Sequence, residues 1–269
     1  MRRSRIRRQA IATGFALMSI VALAAGCGGS DEVSPEPVTV EGGEYAYAMP
    51  DEIEGGVVAM RFVNVGKELH EYALSRIDGE HTIDELIRDL FANEGHASYA
   101  TDIGGVPLLS PGEEITLTRK LEPGNYGLLC FVPSPDGKPH LELGMKRTFT
   151  VAGESDAALP AADAVITATV DGYVVPEIEA GTRTIELRNA SGKEPSWYLA
   201  SAAPGVTEKD FEAWIEGGQK GPSPVTFYGA MQSFPDGESI FVTLDLEKGK
   251  TYRLSDDEGG LPPVELTPR

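Results

Sequence analysis

This sequence is poor in the residues that most often carry chemistry: 269 residues hold two cysteines, four histidines, two tryptophans and six methionines. Two cysteines exclude a disulfide-stapled scaffold. Basic residues are also short, 23 against 42 acidic, for a formal net charge of −19. That balance repels nucleic acid and anionic lipid and favours a basic partner. A long apolar run is missing too, because Ile11 to Ala25 falls short of the about 20 residues that span a bilayer.

What the N-terminus does contain is ordered like an export signal. Arg2, Arg3, Arg5, Arg7 and Arg8 precede the apolar run, and Leu23-Ala24-Ala25-Gly26-Cys27 follows. The small residues before Cys27 resemble a bacterial lipobox, at which the thiol is acylated and residues 1–26 are cut away. Processing there leaves 18 basic and 42 acidic residues, a net charge of −24. Residues 27–37 then read as a polar tether between lipid and folded chain. The expected location is the cell envelope, on the outer face of the cytoplasmic membrane or in the periplasm. With Cys27 assigned to lipid, Cys130 is left unpaired in an oxidising compartment.

The chain repeats itself. Ile53-Glu54-Gly55-Gly56 corresponds to Ile178-Glu179-Ala180-Gly181, Asn64-Val65-Gly66-Lys67-Glu68 to Asn189–Glu194, and Leu121-Glu122-Pro123-Gly124 to Leu246-Glu247-Lys248-Gly249, each pair 125 or 126 residues apart. The expected organisation is a domain over 38–152, a linker over 153–163 and a second domain over 164–269. Within each copy, short β-branched or alternating runs such as Val57–Val63 and Arg147–Val151 are separated by Gly/Pro turns, which predicts an all-β sandwich or barrel. One helix interrupts each copy. Thr82-Ile83-Asp84-Glu85 has the form of a capping box ahead of Leu86, Ile87 and Leu90, and Thr207 to Ile215 is its counterpart.

The duplication isolates a set of residues. Aligned by sequence, Cys130 falls opposite Ser255 and His70 opposite Ser196, while His140 faces the segment around Glu265 and Met145 has no counterpart. His70, Cys130, His140 and Met145 are therefore absent together from a copy that keeps the scaffold. One thiolate, two imidazoles and one thioether is the donor set that favours copper in an electron-transfer site.

On these residues the first copy resembles the cupredoxins, the blue copper family of plastocyanin and azurin. Asn64 followed by His70 resembles the strand that leads to the family's first histidine ligand, and Pro139-His140-Leu141-Glu142-Leu143-Gly144-Met145 resembles its Pro-His-x-x-x-Gly-Met segment. The resemblance implies two tandem Greek-key β-sandwich domains, each with a short helical insertion. It implies one mononuclear type 1 copper, held by His70, Cys130, His140 and Met145, and one-electron transfer with His140 as the solvent-facing edge. The second domain resembles the same fold without metal ligands. Two departures stand out: nine residues separate Cys130 from His140, longer than in small members of the family, and Glu71 stands where an Asn often locks the ligand loop.

Multicopper oxidases and nitrite reductases also carry tandem cupredoxin domains, but they need further histidine-rich copper sites. Only His81 and His96 remain here, and Leu129 precedes Cys130 where nitrite reductases have a histidine. The expectation is an electron carrier and not an enzyme, with a basic redox partner such as a cytochrome domain and membrane attachment through the N-terminal lipid. Two other readings stand beside it: a binding lipoprotein with a vestigial site, using Trp197, Tyr198, Trp214, Phe227 and Tyr228, and a copper carrier.

Overall fold

The structure, a computed structural model, describes residues 34–219, 221–256 and 260–269. The leader and Cys27 lie outside the described residues. No helix among those described is long and apolar enough to cross a membrane.

The first repeat contains β1 (Val38–Gly43), β2 (Ala46–Ala48), β3 (Glu52–Glu54), β4 (Gly56–Asn64), β5 (His70–Ile77), helix α1 (Ile83–Ala92), β6 (Ala100–Leu109), β7 (Glu114–Leu121), β8 (Gly124–Leu129), a four-residue helix α2 (His140–Leu143) and β9 (Lys146–Ala152). The second contains β10 (Ala164–Thr169), β11 (Gly172–Val174), β12 (Gly181–Ala190), β13 (Trp197–Ala202), α3 (Glu208–Glu216), β14 (Val225–Met231), β15 (Ser239–Leu246), β16 (Tyr252–Asp256) and β17 (Val264–Leu266). The all-β expectation is met, and each repeat carries its helix between equivalent strands.

The two repeats share both of their sheets. One sheet runs β11-β10-β12-β15-β7-β4-β1-β2 and the other β17-β16-β13-β14-β6-β5-β8-β9-β3. At the seam Leu117 pairs with Val242 and Leu109 with Tyr228. Ser110 completes it, donating its N–H to the Phe227 carbonyl at 3.0 Å while its Oγ accepts the Phe227 N–H at 2.9 Å. Pairing β6 and β7 with β14 and β15 covers strand edges that each sandwich would otherwise leave open. The apolar core is correspondingly continuous, from Val40 and Phe62 through Ile115 to Leu187 and Leu254.

Two structural devices recur in the repeats. Asn64 Nδ2 donates to the carbonyls of Glu68 and Leu109, both at 2.8 Å, and Asn189 Nδ2 donates to those of Lys193 and Phe234, both at 2.7 Å. Each buried amide thereby ties the end of its strand to the next turn and to a segment about 45 residues further on, the end of β6 in the first repeat and the loop after β14 in the second. Tyr126 and Tyr252 are the second device: both rings are buried, Tyr126 Oη donates to the Glu122 carbonyl, and Tyr252 Oη accepts the Glu247 N–H.

Helix α1 sits on the outer face of the β5–β8 sheet. Thr82 caps it as the sequence predicts, with the Glu85 side chain accepting the Thr82 N–H at 2.9 Å. Leu86 enters a small second core with Ala73, Ile77, Leu129 and Leu141. That cluster explains why β5 is buried on both faces, a pattern that simple alternation does not anticipate.

Candidate metal centre

Three of the four residues singled out by sequence converge. His70 Nδ1 lies 3.2 Å from His140 Nδ1, and Cys130 Sγ lies 3.5 Å from His140 Nδ1. They form the one group of three or more His, Cys, Asp or Glu ligand atoms within 4.8 Å of one another found among the described residues, and all three are buried. Met145 is fully buried beside them, its N–H donating to the His140 carbonyl and its carbonyl accepting from Cys130 N–H. Its methyl group lies against Gly42, where an added Cβ would stand 3.3 Å from Cε.

The elements deliver these atoms from two directions. His70 opens β5, directly after the turn held by Asn64. Cys130 follows the last residue of β8, and His140 opens α2. Between the latter two, the long loop closes as a hairpin. Ser134 N–H donates to the Lys138 carbonyl at 2.8 Å, Gly137 N–H to the Ser134 carbonyl at 2.7 Å, and Pro133 bridges Pro139. Beyond the hairpin, His140 N–H donates to the Val132 carbonyl and Leu141 N–H to the Cys130 carbonyl, both at 2.9 Å. The nine intervening residues thus form an excursion whose two ends are stitched together, and its length does not separate Cys130 from His140.

Glu71 supplies the lock that its departure from Asn put in question. Its buried carboxylate accepts the N–H of Phe131, the residue after Cys130, at 2.9 Å. Tyr47 Oη donates to the Glu71 carbonyl from the other side.

The electrostatics suit a cation. Burial, and then the neighbouring His140, pull His70 down from its ordinary value to about 4, and burial also lowers His140. Burial pushes the Cys130 thiol well up. Two neutral imidazoles therefore face one another with a thiol at their side. The separations of 3.2 and 3.5 Å are each shorter than two metal–ligand bonds of about 2.0–2.3 Å laid end to end, and all three atoms lie within 4.8 Å of one another, the spacing of donors around one ion. The donor set with buried Met145 fits copper.

One expectation is overturned. His140 is not a solvent-facing edge: it is fully buried, its Nε2 lies 2.9 Å from Glu68 Oε2, and the Tyr45 ring stands edge-on to it at 5.0 Å between centroids. The sequence could not reveal this, because Glu68 and Tyr45 reach His140 only through the fold. The alignment of the repeats also shifts. The Tyr126/Tyr252 match places Cys130 opposite Asp256, not Ser255. The Asn64/Asn189 match and the core positions of Tyr72 and Trp197 place His70 opposite Pro195, not Ser196. The donor set remains absent from the second repeat.

Gly66 was missed as well. A Cβ there would lie 2.6 Å from His70 Nε2. Its structural counterpart is Ser191, which, like Gly66, donates its N–H to the Asn two residues earlier at 3.0 Å. The signal was present in the sequence: a glycine occurs where a histidine ring must be accommodated and a serine where it need not be.

His81 and His96 stay outside. His81 is exposed and stacks on Tyr99 at 3.6 Å, and His96 is exposed beyond α1. Of the five aromatics, Trp197, Trp214, Phe227 and Tyr228 are buried in the core of the second repeat and Tyr198 is half-buried against it, so they do not form an exposed binding surface.

No family profile and no curated protein matches the chain. Among solved structures, auracyanin from Roseiflexus castenholzii aligns at 24% identity over 44% of this chain and 98% of its own, with a TM-score of 0.30. Auracyanin A from Chloroflexus aurantiacus, described as a blue copper protein, aligns at 24% identity over 44% of this chain and 100% of its own, with a TM-score of 0.31. The copper nitrite reductase of Nitrosomonas europaea aligns at 15% identity over 87% of this chain and 94% of its own, with a TM-score of 0.26. At such scores the fold is read from the strand order itself.

Proposed function

We propose that this chain is a tandem cupredoxin whose first repeat binds one copper ion and carries single electrons, exported and attached to the cell envelope through Cys27. The observation that carries the reading is the convergence of His70 Nδ1, Cys130 Sγ and His140 Nδ1 in a buried pocket. Copper, when bound, supplies a one-electron redox couple. The protein's share is to hold the donors still. Glu71 pins the Cys130 strand end, Asn64 pins the turn before His70, and α2 carries His140 back over Cys130. Cys130 would release its proton to solvent when the ion binds, and Met145, buried on the same loop, would be the weak fourth donor.

Burial of all three ligands favours a resident ion over an exchangeable cargo, which weighs against a copper carrier. Enzymatic use of a second copper would need further histidines close by, and His81 and His96 are exposed on the α1 side. The acidic composition supports a basic redox partner, such as a cytochrome domain.

The test is Cu(II) titration of the mature protein followed by absorption. An intense band near ~600 nm, the mark of a thiolate–copper bond, should appear at one equivalent. Cys130→Ser should abolish it and Asp256→Asn should leave it unchanged. A protein that stays colourless refutes the reading.

A further inference from the structure

Glu68 takes no part in the donor set, yet both of its carboxylate oxygens are engaged at the edge of it. Its Oε2 lies 2.9 Å from His140 Nε2, its Oε1 accepts the Tyr45 hydroxyl at 3.3 Å, and its backbone carbonyl accepts from Asn64 Nδ2 at 2.8 Å. His140 is fully buried, whereas the Glu68 side chain is 27% exposed, so the carboxylate stands between the imidazole and solvent. An exposed ion pair would contribute little. This one is different because the imidazole has no access to water and Glu68 is its partner at Nε2.

The contact fixes a proton. With Nε2–H donating to Glu68, His140 Nδ1 is left as a lone pair. That lone pair faces two donors in the metal-free protein, His70 Nδ1 at 3.2 Å and the Cys130 thiol at 3.5 Å, and donation from His70 Nδ1 leaves His70 Nε2 as a lone pair. Among the described residues that atom has no hydrogen-bond partner, so no acceptor holds a proton on it. A carboxylate on the far nitrogen of a ligand imidazole also makes the near nitrogen a stronger donor. A stronger donor with a negative charge behind it favours the more highly charged state of a bound metal.

We infer that Glu68 is a positioning residue for the metal centre: it selects the His140 tautomer, seals the ligand edge with Tyr45, and biases the site toward the oxidised ion. The inference rests on the copper reading for its redox consequence, while the tautomer can be tested without metal.

Two measurements on the full mature chain test it. In the metal-free protein, nitrogen NMR of the histidine side chains should show His140 protonated at Nε2 in wild type, and E68L should shift protons toward Nδ1. A wild-type His140 protonated at Nδ1 overturns the inference. In the copper-loaded protein, E68Q keeps an acceptor of the same shape and removes the charge. It should keep the ~600 nm band and change the ratio of oxidised-state to reduced-state affinity about tenfold toward the reduced state, a rise in potential of about 59 mV for one electron. A merely structural Glu68 would leave the potential of E68Q where it was, and that result overturns the inference. The two readings fail separately: no band in wild type removes the copper reading, whereas a band with an unmoved E68Q potential removes only the role of Glu68.

Discussion

The site depends on single atoms being left out as much as on those present. Gly66 is the sharpest case, because any side chain there meets the His70 ring at a distance real Cβ atoms do not reach. Gly66→Ala should displace His70, weaken copper binding by at least tenfold in a competition titration and perturb the ~600 nm band. Ser191→Ala, the matching change in the second repeat, should leave both as in wild type. Equal effects of the two changes would mean that the glycine serves the turn and not the ligand. At this scale the sequence was informative for the ligands, since rare residue types stood out against a repeat lacking them. It was silent about Glu68 and Tyr45, whose types are common and whose significance is their distance from His140.

Among the elements, α1 has the least obvious role. It contributes no ligand, yet its Leu86 packs on Leu129 and Leu141, the neighbours of Cys130 and His140. The helix therefore presses on the backs of two ligand-bearing segments from outside the sheet. Leu86→Ala should cost about 2–5 kcal/mol of stability, as a large-to-small change at a fully buried site does. It should also broaden or weaken the copper band at temperatures where the protein is still folded. Unchanged absorption alongside reduced stability would restrict α1 to a packing role. The capping box and apolar spacing made this helix legible in sequence. Its partner surface was not, because Leu129 and Leu141 are brought together by strand pairing and by the hairpin from Val132 to His140.

At the scale of the whole molecule, the two repeats share two sheets and one main core. Strands β6 and β7 pair with β14 and β15, and Ser110 and Phe227 exchange hydrogen bonds across the seam. Calorimetry of the metal-free mature chain should therefore show one cooperative transition, with calorimetric and van't Hoff enthalpies in agreement. Two resolved transitions would show that the halves fold independently. The sequence by itself determined the duplication, the β character, the helix in each copy and the members of the His70, Cys130 and His140 cluster, because each is written in local pattern or in rare residue types. Tertiary structure alone decided that His140 is covered, that Glu71 locks the thiol strand, and that the position equivalent to Cys130 in the second repeat is Asp256 and not a serine. Those outcomes depend on strand register and on contacts between residues far apart in the chain, and a shift of one residue changes them while local composition stays the same.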